Sequence, residues 1–232
     1  MGSKVEKHLS RLAMPKTWKI KRKGIKYVTR PLPGAHSFKQ GLPLSVLLRD
    51  VLKLARTTKE AKNILHNQEV LIDGTRVKEN KHIVGFMDII TVPKIKKSFR
   101  IIFSKKGKLV ALEIKPDEAK FKPCKLVGKK IVRKGKMQLN LYDGKNILAD
   151  KKEAKVGDTI VLEIPSKKVK DVLKLEKGST VYLTGGKHIG EIGIVDNIKE
   201  DVLIYKRDKD TYETSKRYAF VIGKDKPIIK IE

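Results

Sequence analysis

Positive charge is laid along this chain in blocks, and the blocks dictate where a core can form. Net formal charge is +28 over 232 residues. Residues 1–40 carry eleven Lys/Arg against one acid, and residues 93–174 carry twenty-four against nine. Residues 41–92 carry eight against six, and residues 175–232 eleven against ten. Two strongly basic stretches therefore alternate with two nearly neutral modules. A polyanion partner is the simplest physical reason to tolerate that much self-repulsion. The neutral modules are where motifs are to be sought.

Composition excludes several classes. A 40% hydrophobic content at this length supports more than one small core. Aromatic content is 6%, with one Trp, so no broad base-stacking platform is advertised. The single cysteine, Cys124, rules out an internal disulfide and a Cys-based zinc site. His8, His36, His66, His82 and His188 lack ligand spacing, so no metal or cofactor is expected, and no small-molecule substrate. No apolar run approaches the roughly 18 residues of a membrane span, and no hydrophobic signal segment opens the chain. No basic amphipathic helix suggests a lipid surface. The expectation is a soluble intracellular protein without a membrane partner.

Residues 1–40 read as an arm. Pro15, Gly24, Pro31, Pro33 and Gly34 interrupt it, so a long helix is not expected. Such a segment buries too little to order itself alone, and one reading is a disordered solubilising tail. Against that stand Trp18, Tyr27, His36 and Phe38 among the cations, offering stacking faces to unpaired bases. Lys19, Lys21, Arg22, Lys23 and Arg30 suit phosphates. An arm that orders on RNA fits better than a passive tail.

In the first neutral module, Leu44, Leu47, Leu48, Val51, Leu52 and Ala55 predict an amphipathic helix from about Leu44 to Ala55. Arg49, Lys53 and Arg56 fall on its outer face. Thr57 or Thr58 can cap a second helix, on which Lys59, Lys62, Asn63 and His66 form one polar stripe. Val70 to Gly74 reads as a strand entering an Asp-Gly turn, and Asp88 to Val92 as another strand. The two stripes are either solvated faces or a concave cationic surface for phosphates. The order of parts closely resembles a small RNA-binding domain shared by a bacterial small-subunit ribosomal protein and several pseudouridine synthases. That resemblance implies grip on structured RNA by shape and backbone contacts.

The basic middle alternates short apolar strands, at Phe99 to Phe103, Leu109 to Ile114, Gln138 to Tyr142 and Thr159 to Ile164, with turn chemistry. A small β-rich domain is expected. Its cations, notably Lys129, Lys130, Arg133, Lys134 and Lys136, are read as loop residues facing RNA. In the second neutral module, Val181 to Val195 runs from a strand through a glycine-rich loop into another strand. No helix follows, so a dinucleotide fingerprint is rejected. The string resembles the KOW motif of small β-barrels, which implies an SH3-like barrel whose loop, with Lys187 and His188, approaches RNA or a protein partner. Ala219 to Gly223 and Ile228 to Ile231 are expected to close it.

The full order of features resembles one family, small-subunit ribosomal protein four of the e-type, of archaea and eukaryotes. The resemblance rests on Gly41-Leu-Pro-Leu44 with Leu48-Arg-Asp50, on Gly85-Phe-Met-Asp88, on Pro116-Asp-Glu-Ala-Lys120 with Cys124-Lys125, and on Thr184-Gly-Gly186 through Gly193. It extends from His8 to Gly223, and the compact C-terminus looks archaeal. It implies an α+β multi-domain chain. The segments are a basic arm (1–40), a small helical RNA-binding domain (41–94), a β-rich central domain (95–174) and a KOW barrel (175–232). It further implies a non-catalytic constituent of the cytoplasmic ribosome. That constituent would bind the 5′ part of small-subunit rRNA, help its folding and assembly, and touch neighbouring small-subunit proteins.

Two other functions compete. An RNA-modifying enzyme needs a further catalytic domain with a positioned Asp, and no site-like cluster of Asp, Glu, His or Ser stands out. A transcription factor using the KOW element on polymerase leaves the arm and the basic middle without a purpose.

Overall fold

A computed structural model describes residues 8–132, 135–149, 154–207, 210–224 and 227–231. Arg133 and Lys134 of the expected basic loop lie outside these residues. The architecture is mostly β, with two short α-helical segments among the described residues. In the arm, β1 (Leu9–Ser10) pairs antiparallel with β2 (Tyr27–Val28). β3 (Gly41–Pro43) follows, then α1 (Leu44–Val46), which widens into a π-helical turn over Leu47–Val51. The chain then gives α2 (Thr58–Asn67), β4 (Leu71–Ile72), β5 (Thr75–Arg76), β6 (Ile83–Gly85) and β7 (Ile89–Val92). β8 (Lys97–Phe103) and β9 (Leu109–Ile114) extend the sheet, in the order β5-β4-β7-β8-β9. That sheet runs across residues 94 and 95, because β7 and β8 form one hairpin pairing Val92 with Lys97.

The helix expected from Leu44 to Ala55 is cut short. Leu44, Ser45, Val46, Leu47 and Leu48 are all buried, so this stretch is enclosed on every side rather than amphipathic. Lys53 then adopts φ +56° and turns the chain, with the Leu54 N–H closing on the Leu48 carbonyl. α2 starts on a reciprocal cap. Thr57 Oγ1 accepts from the Glu60 N–H at 3.1 Å, and Glu60 Oε2 accepts from the Arg56 N–H at 2.8 Å. The Asp73-Gly74 turn has both residues at positive φ, as a two-residue hairpin requires.

The middle sheet has the order β12-β11-β10-β13-β14. Its strands are β10 (Phe121–Ile131), β11 (Met137–Leu141), β12 (Asn146–Ala149), β13 (Thr159–Glu163) and β14 (Val169–Leu173). The C-terminal sheet has the order β18-β17-β16-β15-β19. It comprises β15 (Thr180–Leu183), β16 (Ile192–Lys199), β17 (Val202–Arg207), β18 (Asp210–Ser215) and β19 (Ala219–Gly223). Among the described residues no pairing joins β18 to β19, and no closed barrel forms. The expected closing strand at Ile228 to Ile231 is absent too. Ile229 and Ile231 are buried instead as apolar anchors of an irregular tail.

The main core crosses segment borders. Leu9, Trp18 and Val28 of the arm join Leu44, Leu65 and Phe86, then Phe103 and Leu109, and finally Tyr182, Phe220 and Ile231. Phe86 is the hub: its ring stacks on Phe103 and Tyr182 and meets Phe220 edge-on, with centroids 5.2–5.5 Å apart.

Candidate nucleic-acid interface

The arm is built before any partner arrives. Arg11 is buried, and its guanidinium donates to the Ile25 carbonyl at 2.7 Å and the Lys21 carbonyl at 2.8 Å. The loop between β1 and β2 is thereby wrapped around one cation, holding Lys19, Lys21, Arg22 and Lys23 exposed on its outside. Trp18 then ties the loop to the body. Its side chain is 1% exposed, its Nε1–H donates to the Gly41 carbonyl at 2.8 Å, and Leu109 N–H reaches the Thr17 carbonyl. Trp18 is therefore a core anchor and has no face for a base. The expectation of an arm ordered only on RNA fails for the same reason in the described residues.

His36 is a second correction. It is buried, with Nε2 2.8 Å from Asp88 Oδ2, and it belongs to a charge cluster between the first and middle sheets. There Lys122 of β10, 1% exposed at its side chain, places Nζ 2.6 Å from Asp73 Oδ2, 2.6 Å from Asp88 Oδ1 and 3.1 Å from Asp143 Oδ2. Lys145 bridges Asp73 and Asp143 at 2.5 and 3.2 Å. Burial alone would raise the Asp88 carboxyl, but Lys122 and His36 outweigh it and hold it well below the usual range. Burial alone would lower the Lys122 amine, and Asp88 and Asp73 raise it well above its usual value. These cations lock the β4–β5 turn, the β6–β7 turn and the middle sheet together.

The remaining predicted residues divide by exposure. Lys59, Lys62 and Asn63 are exposed along one side of α2, whose Ala61 and Leu65 are buried. Arg49 is half-buried and committed to Asp50 and Thr58, at 2.7 and 3.0 Å, while Lys53 and Arg56 sit beyond the helical turn. The expected stripe of Arg49, Lys53 and Arg56 is thus broken. Arg30 is exposed. Lys129 and Lys130 lie in β10 rather than in a loop, opposite Leu139 and Gln138, and so project from opposite faces.

Lys187 is exposed on the β15–β16 loop. His188 is held locally, 3.1 Å from Glu191 and 4.7 Å from the Tyr212 ring. That loop is seated on the β8–β9 turn: a Cβ at Gly190 would lie 2.5 Å from the Ser104 carbonyl oxygen. Beside the seat runs a groove of about 640 Å³, its lining formed by Lys19, Lys105, Lys106 and Lys108 together with apolar side chains such as Ile102, Val110 and Leu112. Arm, first sheet and C-terminal loop therefore meet at one groove that carries four lysines. Three lysines around the turn glycine Gly107 are the signal in the sequence that points to this groove.

Small β-sheets around a shared core, a docked basic arm and cations gathered where segments meet define a strongly basic, mostly β class of protein. Residues 95–169 match the family described as Ribosomal family S4e, and residues 1–39 match the RS4NT (NUC023) domain. Small ribosomal subunit protein eS4 of Methanosphaera stadtmanae is 42% identical over 237 residues, covering 100% of this chain and 97% of the relative. The protein of the same name from Archaeoglobus fulgidus is 43% identical, covering 98% and 99%. The crystal structure of 30S ribosomal protein S4e from Thermoplasma acidophilum superposes with a TM-score of 0.71 at 31% identity, covering 79% of this chain and 95% of that one. This chain belongs to the S4e family of small-subunit ribosomal proteins. Its role is structural and ribosomal, in the cytoplasm, and not enzymatic.

Proposed function

We propose that the chain binds the 5′ part of small-subunit rRNA through the surface on which arm, first sheet and C-terminal loop converge, and so helps that RNA fold. The observation that carries this is the shared groove, lined by Lys19 of the arm and by Lys105, Lys106 and Lys108 of the β8–β9 turn. Pre-placed ammonium groups bind phosphates without sequence readout, as suits RNA helices recognised by shape. Lys59, Lys62 and Asn63 on α2 extend the contact, and Lys187 on the KOW-type loop adds to it. The four segments (1–40, 41–94, 95–174, 175–232) serve as four contributions to this surface, the last as an open SH3-like sheet. Neighbouring ribosomal proteins cover other faces.

Titrating a transcript of that rRNA region with salt tests the groove. Replacing Lys19, Lys106 and Lys108 with Ala should lower the slope of log affinity against log salt by about 1 per lost phosphate contact. An unchanged slope and affinity would remove the groove from the interface.

A further inference from the structure

A second cavity of about 640 Å³ lies away from the groove, between the middle and C-terminal sheets. Its chemistry is divided. Val127 and Val156, 57% and 54% exposed, line it together with the half-buried Tyr142, and so do Lys216 and Arg217. Two valines left half in water on adjoining elements are apolar surface without a cover. The cationic part is rigidly placed: Lys125 Nζ donates to the carbonyls of Lys216, Arg217 and Ala219 at 3.3, 2.8 and 2.6 Å. Lys125 is thus consumed in fixing the turn, and Lys216 and Arg217 carry the charge outward. Asp201 is the one carboxylate on the lining, and Gln40 brings a side-chain amide.

We propose that this cavity receives one unpaired nucleotide of the bound RNA, its base against the valine and tyrosine side chains and its phosphate on Lys216 and Arg217. The inference rests on the rRNA-binding reading above. The volume lies within the roughly 300–1,000 Å³ of pockets that enclose small ligands, and a duplex is too wide to enter. Apolar side chains and two cations lining one cavity match a nucleotide, which joins a flat ring to an anion; an apolar peptide would leave both cations unanswered.

Ultraviolet cross-linking of the full chain to a transcript of the 5′ part of small-subunit rRNA, with peptide mapping, tests this. A nucleotide should be found on Tyr142 or on Lys216 to Phe220. Val156→Trp, which fills the cavity from an exposed position, should reduce that cross-link about tenfold, the scale of one lost stacking contact. Cross-links at the arm and α2 should persist. Arg217→Glu should act likewise, and decides the matter if the tryptophan variant does not fold. Cross-links confined to the arm, α2 and the groove would overturn the cavity proposal and leave rRNA binding standing. Loss of all RNA cross-links would overturn both. A neighbouring protein cross-linked to Lys216 in the assembled subunit would also overturn it, by identifying a peptide occupant.

Discussion

Lys122 shows how far a single cation can depart from its neighbours. Among the many lysines of the basic middle, it is enclosed by three aspartates. Lys122→Met would leave Asp73 and Asp143 to Lys145 and Asp88 to His36, and should cost about 3–5 kcal/mol of stability in a denaturant melt. The pH dependence should weaken with it. In the native protein Asp88 and Asp143 are buried, which would raise them, yet Lys122 lowers both. Carboxyls depressed by folding bind fewer protons than in the unfolded chain. Their stabilisation is complete above about pH 5 and lost as pH falls through and below about 4. Without Lys122, burial is opposed only by His36 at Asp88 and by Lys145 at Asp143, so the carboxyls titrate higher and the variant should lose less stability on acidification toward pH 4. Parallel melts of both proteins across that range check the difference.

At the scale of elements, much was legible and the failures share a cause. Leu109 to Ile114 alternates and is β9 as read, and the threonine cap and Asp-Gly turn are local chemistry that stands. β10 escaped notice although it is the central strand of its sheet. Its residues Lys122, Pro123 and Lys125 disguise a buried strand, because the lysines are satisfied by partners far away in sequence, from Asp143 to Ala219. Trp18 and His36 were misread for the same reason, since their partners lie at Gly41 and Asp88. Such pairings leave no local period. The β15–β16 loop offers an element-scale test. Gly190→Ala combines φ +82° with the clash against Ser104, and should unseat the loop at a cost of about 1–3 kcal/mol. Hydrogen exchange should quicken over Leu183 to Glu191 while β10 stays protected; unchanged protection would mean that the seat yields.

Across the whole molecule, the segments drawn from charge blocks share one core, and the arm is part of it. Deleting residues 1–40 therefore removes Trp18 as well as cations. Trp18→Ala alone should cost about 3–5 kcal/mol, as for other buried aromatics. The comparison with a Lys19, Lys21, Arg22 and Lys23 to Ala variant separates the two roles. That variant should melt like the native protein and bind rRNA more weakly. Equal melting of the Trp18 variant would show that the arm's dock is dispensable.

The Arg11-centred loop carries one more consequence, for the calorimetry of assembly. A tail that coils onto RNA buries apolar surface as it folds, and its association shows a strongly negative heat-capacity change. Here the described part of the arm has already buried Trp18 and wrapped its loop around Arg11. Its docking on RNA should accordingly release ions with little change in heat capacity. A large negative value would mean that the RNA reorders this loop rather than meeting it ready-made.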